Sequence, residues 1–193
     1  MKGVDISAHN EHVDFPALKR NGIDFVIVRT GAGISIQDNF FAAVYAAKQA
    51  GLLVGAYHYS YALTPSKAAQ EAAFCRRIIN DTGLLLELPV FFDMEDADRY
   101  KARHGFRFNR RHITDICRAF LDNIGLNAGV YASYNWLEKW IDWRNLGCAV
   151  WNGQWGEHDF IQGMMWQYTD ALEIEGQYFD GNILYDHTHR PNS

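Results

Sequence analysis

Two carboxylates separated by a single residue close the stretch 88–96, Leu-Pro-Val-Phe-Phe-Asp-Met-Glu-Asp, where an apolar run meets a cluster of acids. Side chains alternate faces along a strand, so Asp93 and Glu95 share one wall while Phe92 and Met94 take the other. Backbones two strand residues apart are separated by roughly 6–7 Å, a spacing at which one carboxylate's charge can raise its neighbour's pKa. One acid can then stay protonated near neutral pH while the other is ionised, as cleavage of a glycosidic bond requires. A lone Asp-x-Glu is more often a strand end whose acids meet solvent or cap the next element. The elements that position the pair must decide between the two readings.

The 193 residues can bury one substantial core, and no Pro/Gly/Ser-rich linker divides them. One domain is expected over 1–193, with a short polar tail at 185–193. Hydrophobic residues at 48% and charged residues at 21% suit a globular chain and argue against disorder. No apolar run approaches the roughly 20 residues of a membrane helix, so no membrane insertion is expected. The opening Met-Lys-Gly-Val-Asp does not read as a secretory signal. A net charge of -5, with basic residues scattered outside 99–111, gives no footprint for nucleic acid. That basic stretch reads as a solvated loop running into a helix. Cys75, Cys117 and Cys148 are few, odd in number and set among apolar residues, which predicts reduced core thiols made in a reducing compartment.

The chain alternates strands and helices for most of its length. Strands are expected at 3–7, 25–28, 52–61, 88–95 and 128–133, with a glycine-containing loop at 29–33. Helices follow them: one capped by Asp14, one from about 39 to 50, one opened by Thr64-Pro65, one capped by Asn109, and a short one at 135–143. The rhythm then changes, because 148–151, 164–168 and 178–184 are strand-like but only about a dozen residues apart, near the minimum for a parallel crossover with its helix. These are expected to pair as hairpins, with Glu175-Gly176 at one turn. The fold class is therefore α/β, an irregular TIM-like barrel of five β/α units followed by three β-strands. All-apolar strands such as 25–28 predict burial on both faces.

In such a barrel the C-terminal ends of the strands face one mouth. There the sequence places Asp5 and Ser7, Tyr57 and Tyr59, Asp93 and Glu95, Tyr131 and Ser133, Trp151 and Asn152, Trp166 and Gln167, and Asp180 with Asn182. Four acids from three distant parts of the chain thus gather beside aromatics. Flat aromatic faces among acids and amides suit a sugar chain, whose C–H faces stack while its hydroxyls and acetamides hydrogen-bond. Trp151 and Trp166, each followed by an amide, are read as groove residues; Trp136, Trp140 and Trp143 are assigned to helix packing.

On these residues the chain resembles the family 25 glycoside hydrolases, lysozymes found in bacteria, fungi and phages. The matching pieces are Asp5-Ile-Ser7, Gly55-Ala-Tyr-His-Tyr59, Phe92-Asp-Met-Glu95, Gly129-Val-Tyr-Ala-Ser133, Trp166-Gln-Tyr168 and Asp180-Gly-Asn182, in family order across essentially the whole chain. The resemblance implies hydrolysis of the β-1,4 bond between N-acetylmuramic acid and N-acetylglucosamine in peptidoglycan. It places Glu95 as general acid, with Asp93 steering the substrate's 2-acetamido group or stabilising positive charge. Asp5 and Asp180 match two further acids of the cleft, which would orient substrate and keep Glu95 protonated. Ser7, Tyr57, Tyr59, Tyr131, Trp151, Asn152, Trp166 and Gln167 would line the substrate site.

The match has departures. Ala8-His9-Asn10 stands where many relatives carry an aromatic and a Gln, and the second strand ends in Arg29-Thr-Gly rather than the acidic ending common in the family; both bear on substrate subsites. No cell-wall-binding repeat follows Leu184, so affinity is expected from the cleft or a partner. The expected partner is the peptidoglycan glycan strand, the expected state a monomer, and no cofactor or metal is called for. Asp186-His187-Thr-His189 reads as surface rather than a metal cluster, and His58 as a hydrogen-bonded wall residue. His9 and His12 lie near the mouth. The expected setting is synthesis in the cytoplasm and action at the bacterial cell wall after phage lysis or secretion. The alternatives are a chitinase-like N-acetylhexosaminidase and a catalytically silent glycan-binding barrel.

Overall fold

A computed structural model describes residues 1–10 and 12–185. Nine strands form one sheet: β1 (Lys2–Ile6), β2 (Phe25–Ala32), β3 (Ser35–Ile36), β4 (Leu53–Tyr59), β5 (Val90–Asp93), β6 (Ala128–Ser133), β7 (Ala149–Gly153), β8 (Met165–Ile174) and β9 (Gln177–Leu184). The order β1-β9-β8-β7-β6-β5-β4-β2, closed by a parallel β1–β2 pairing, makes an eight-stranded barrel, with β3 folded back on β2 as an extra strand. Helices α1 (Phe15–Arg20), α2 (Phe40–Gln49), α3 (Pro65–Asp81), α4 (Tyr100–Arg103), α5 (Arg110–Ile124) and α6 (Tyr134–Lys139) lie in the connections up to β7. The five β/α units followed by three strands read from the sequence are present, as α/β architecture.

Strand alternation divides the core in two. On β2, Phe25 and Ile27 turn inward to meet Phe91, Trp151, Met165 and Leu184 inside the barrel, while Val26 and Val28 turn outward against the helices. Filling the interior with rings requires small residues opposite them. At Gly3 a Cβ would lie 2.3 Å from the Phe25 ring, so a side chain there would expel Phe25. The helices start where their caps say: Asp14 Oδ1 accepts from the Ala17 N–H at 2.9 Å, Thr64 Oγ1 from Lys67 at 3.3 Å and Asn109 Oδ1 from His112 at 3.0 Å. Gly125 ends α5 in the left-handed region at φ 63°.

Three local expectations change. The stretch 29–33 is largely strand: β2 continues to Ala32 through an irregularity in register between Arg29 and Gly31, which re-aims the chain into β3. The basic stretch after Arg99 is not all solvated, for it contains α4 and buries Lys101 to 1% exposure. Of the last three strands only β8 and β9 form a hairpin, around Glu175 (φ 48°) and Gly176 (φ 82°), as a two-residue turn with both central residues at positive φ. β7 and β8 are parallel. Their helix-free crossover, 154–164, is instead held by side chains: Asn152 Nδ2 donates to Gln154 Oε1 at 3.0 Å and Asp159 Oδ1 at 2.7 Å, and Trp166 Nε1 donates to the Gln154 carbonyl at 2.6 Å.

Candidate active site

The inward-facing residues that follow the barrel's apolar floor are polar, and they open into a cleft of about 570 Å³ at the C-terminal end of the parallel strands. β5 ends at Asp93, and the same alternation carries on for two residues: Met94 is fully buried on the helix side while Glu95 lines the cleft with Asp93. β1 contributes Asp5, and β9, running antiparallel beside it, contributes Asp180 directly opposite. Tyr57 from β4, Tyr131 from β6, Trp151 from β7 and Gln167 from β8 complete the wall.

Asp5 anchors a hydrogen-bond network that crosses the mouth. Its Oδ2 accepts from Gln167 Nε2 at 2.9 Å and Asn182 Nδ2 at 2.8 Å. Asn182 Oδ1 accepts from Trp151 Nε1 at 2.8 Å, and Gln167 Oε1 from the Tyr131 hydroxyl at 2.9 Å. Each amide thus donates to the acid and accepts from an aromatic, which fixes both amide and ring. Gly153 makes room for this arrangement, since a Cβ there would sit 2.7 Å from the Tyr131 hydroxyl.

All four acids are pushed above the ordinary carboxylate range, by burial first. For Asp5 the Asp180 charge adds to burial, and for Asp93 the Glu95 charge does. Glu95 is raised by burial and by Asp98, Asp180 and Asp96, against the lowering pull of Lys101. Asp180 is raised by burial, while a hydrogen bond from Asp5 favours its charged form. Two coupled pairs of acids in one cleft cannot all ionise together. Lys101 lowers both acids of the Asp93–Glu95 pair and Arg29 lowers Asp93 as well, while Glu95 and Asp5 raise Asp93 and Asp98, Asp180 and Asp96 raise Glu95.

Beneath the pair lies Lys101. Its ammonium donates to the backbone carbonyls of Ser60 at 2.5 Å and Glu95 at 2.6 Å, and it stands 5.8 Å from the centre of the Tyr59 ring. A buried cation clamped to its carbonyl pins the backbone that presents Glu95.

Of the residues picked from sequence, the structure brings Asp5, Asp93, Glu95, Asp180, Tyr57, Tyr131, Trp151 and Gln167 into this cleft. Trp151 is 1% exposed, so it serves as the floor rather than an open wall. Asn152 and Trp166 face away from the cleft: each neighbours an inward residue in sequence, and alternation turns both to the outer layer, where they hold the β7–β8 crossover. Tyr59 lines an adjoining groove and donates to Asp98 Oδ1 at 3.3 Å. Ser7 belongs to the turn after β1, its Oγ accepting from the His9 N–H at 3.2 Å. His58 is an outer-layer residue, fully buried between Thr30 Oγ1 (2.8 Å) and the Gly33 carbonyl (2.9 Å), with burial pushing its pKa down to about 4. Sequence reading missed Trp155, 62% exposed at the cleft edge, with Nε1 3.4 Å from Gln167 Oε1. It sits in an irregular loop where no periodicity marks it.

Among the described residues no group of three His, Cys, Asp or Glu is placed to hold a metal ion. The 186–189 cluster lies outside the described residues. No described helix is long and apolar enough to cross a membrane.

Known proteins resemble this chain in sequence and fold. The chain is 29% identical over 180 residues to the autolytic lysozyme of Clostridium acetobutylicum, covering 91% of this chain and 52% of that protein. It is 22% identical over 191 residues to lysozyme M1 of Streptomyces globisporus, covering 91% and 64%. It thus spans about half to two thirds of the length of these curated relatives. The solved structure of the CTP1L endolysin superposes with a TM-score of 0.81 at 25% identity, covering 96% of this chain and 66% of that one. The model of the glycosyl hydrolases family 25 matches residues 4–177, the span that carries β1 to the last hairpin, and the chain belongs to that family.

Proposed function

We propose that this chain is a lysozyme that hydrolyses the β-1,4 bond between N-acetylmuramic acid and N-acetylglucosamine, acting on peptidoglycan at the bacterial cell wall. The observation that carries the reading is the Asp93–Glu95 pair, two carboxylates on one wall of the cleft, both raised by burial so that one can stay protonated. Glu95, protonated, gives its proton to the glycosidic oxygen as the C1–O bond breaks. The carbonyl oxygen of the substrate's own 2-acetamido group attacks C1 in the same step, forming a cyclic oxazolinium. Asp93 steers that group: its Oδ1 is buried, has no hydrogen-bond partner among the described residues, and can accept the acetamide N–H as positive charge develops. Glu95, now a carboxylate, takes a proton from the water that attacks C1, reopening the ring with retention.

The Asp5–Gln167–Tyr131 network supports this role by fixing the opposite wall at no cost in reorganisation during the reaction. The aromatic residues in the wall, Trp155 among them, offer faces for the C–H surfaces of the sugars. The test is release of new reducing ends from purified peptidoglycan by wild type and Glu95→Gln. The variant is expected to lose at least about 100-fold in kcat, with muramic acid at the new ends made by the wild type. A wild type that cleaves chitin but not peptidoglycan, or binds glycan and releases nothing, would overturn the reading. A first product of inverted configuration would remove the acetamide from the mechanism.

A further inference from the structure

We infer that Arg29, with the groove it faces, is a binding subsite for a carboxylate carried on the branch of the muramyl sugar. The inference rests on the peptidoglycan reading above and names what lies beside the scissile bond. A groove of about 820 Å³ adjoins the acidic cleft, and Ala97 lines both. Arg29 stands on its cleft side, paired in register with Tyr57 of the catalytic wall, and its charge bears on Asp93. Tyr59 and Tyr61 form one flank, and His9 and His12 another.

Arg29 is built to meet a ligand rather than a protein partner. Gln37, only 6% exposed, takes the Arg29 Nε–H on its Oε1 at 2.7 Å and is itself held through Nε2 to Asn39 Oδ1 at 2.7 Å. That bond orients the guanidinium and leaves its two terminal amino groups without a hydrogen-bond partner among the described residues. No described carboxylate lies within 4.0 Å of it as an ion pair. The acids of the same groove do not take that place: Asp98 is engaged by the Tyr59 hydroxyl at 3.3 Å and the Tyr100 N–H at 3.0 Å, and Asp38 is not ion-paired with Arg29. A half-buried guanidinium held by one edge presents the planar pair of donors that a carboxylate fits.

The charge pattern selects the ligand. The catalytic cleft carries four acids, so an anionic substituent is repelled from it and must leave sideways. Arg29 supplies the cation at that exit. In the substrate proposed, such a carboxylate has two sources: the lactyl group of muramic acid where no peptide is attached, and the acidic residues of the stem peptide where one is.

The experiment compares wild type and Arg29→Gln on intact peptidoglycan, on the same material with its carboxylates amidated, and on glycan strands freed of stems by an amidase. The ratio of kcat/KM on free-acid to amidated substrate is read within each variant, so partial unfolding cancels. A charge-assisted bidentate contact predicts that this ratio falls at least about tenfold in Arg29→Gln, mainly through KM. A fall on intact material assigns the contact to the stem, and a fall confined to stem-free strands, compared in free-acid and amidated form, assigns it to the lactyl carboxylate, which is exposed only there. A ratio unchanged on both materials overturns the inference. Should the wild type turn over none of the substrates, the lysozyme reading fails on its own account. Co-sedimentation with free-acid and amidated peptidoglycan then still tests Arg29, equal retention of the variant and wild type on both refuting it.

Discussion

Replacing Lys101 by Met tests whether a buried cation bonded to the Glu95 carbonyl sets both the position and the protons of the Asp93–Glu95 pair proposed to be catalytic. The ammonium is 1% exposed and bonded to the carbonyls of Ser60 and Glu95 at 2.5 and 2.6 Å. Met fills similar volume but orphans two buried acceptors, at about 1–3 kcal/mol each. Against this stands relief of the several kcal/mol spent in burying an ammonium. The net expectation is a loss of about 1–3 kcal/mol, a fall in Tm of roughly 2–10 °C for a chain of this size. Freed from its clamp, the Glu95 backbone can drift, and a displacement of an ångström costs on the order of 100-fold in rate. The electrostatic sign is fixed independently. Lys101 pulls down the pKa of both Asp93 and Glu95; without it both rise. The proposed mechanism uses Asp93 ionised and Glu95 protonated, so both limbs of the pH–rate profile for peptidoglycan hydrolysis are expected to move to higher pH. A profile that stays in place, or moves to lower pH while the variant remains folded, would refute the assignment.

Two further outcomes follow from the same structure. Trp155→Ala removes an exposed ring at the cleft edge, and a stacking face worth about 0.5–1.5 kcal/mol predicts KM raised roughly 2- to 12-fold with kcat little changed; a fall in kcat alone would show that Trp155 acts through Gln167 instead. His58 and Glu71 perturb stability in opposite directions: burial lowers His58 to about 4 and raises Glu71 to about 7. The His58 contribution is complete above its unfolded value near 6.5 and is lost as pH falls toward 4, whereas that of Glu71 is complete below about 4.5 and is lost as pH rises toward 7. Thermal melts across that range should therefore show His58→Gln gaining on the wild type toward acid and Glu71→Gln gaining toward neutrality, each by roughly 3 kcal/mol over its window; parallel curves would contradict both burials.

The parts of this molecule that were readable in its sequence are those governed by short-range rules. Alternation around Phe92 and Met94 placed Asp93 and Glu95 on one wall, and the caps at Asp14, Thr64 and Asn109 marked where helices begin. The same rule decides Trp151-Asn152 and Trp166-Gln167, since of two adjacent strand residues one alone can face the cleft, here Trp151 and Gln167. Other features depend on what the chain meets far away. The parallel pairing of β7 with β8 is set by closure of the barrel and by Asn152 reaching Asp159, neither of which a dozen-residue spacing encodes. Lys101 lies among arginines that remain in solvent, and only the arrival of the Ser60 and Glu95 carbonyls above it makes burial affordable.

This difference bears on how the site is held. The acids that line the cleft are carried on barrel strands or, for Glu95, on the residues that directly continue β5, where local pattern and position agree. The groups that set their protons, Lys101 for the pair and Asp180 for Asp5, come from a four-residue helix and from the last strand, and they reach the cleft only when the barrel is closed. Asp5 and Asp180 are 175 positions apart in the chain yet opposite each other in register. An unclosed chain therefore has all four acids at ordinary carboxylate values and no proton to donate near neutrality. The raised pKa values that would make Glu95 a donor cost stability at neutral pH, because the unfolded chain releases those protons freely. On the proposed mechanism, competence in this barrel is thus drawn from its folding free energy, and substituting Asp180, whose charge raises both Asp5 and Glu95, should raise Tm at neutral pH while lowering peptidoglycan hydrolysis there.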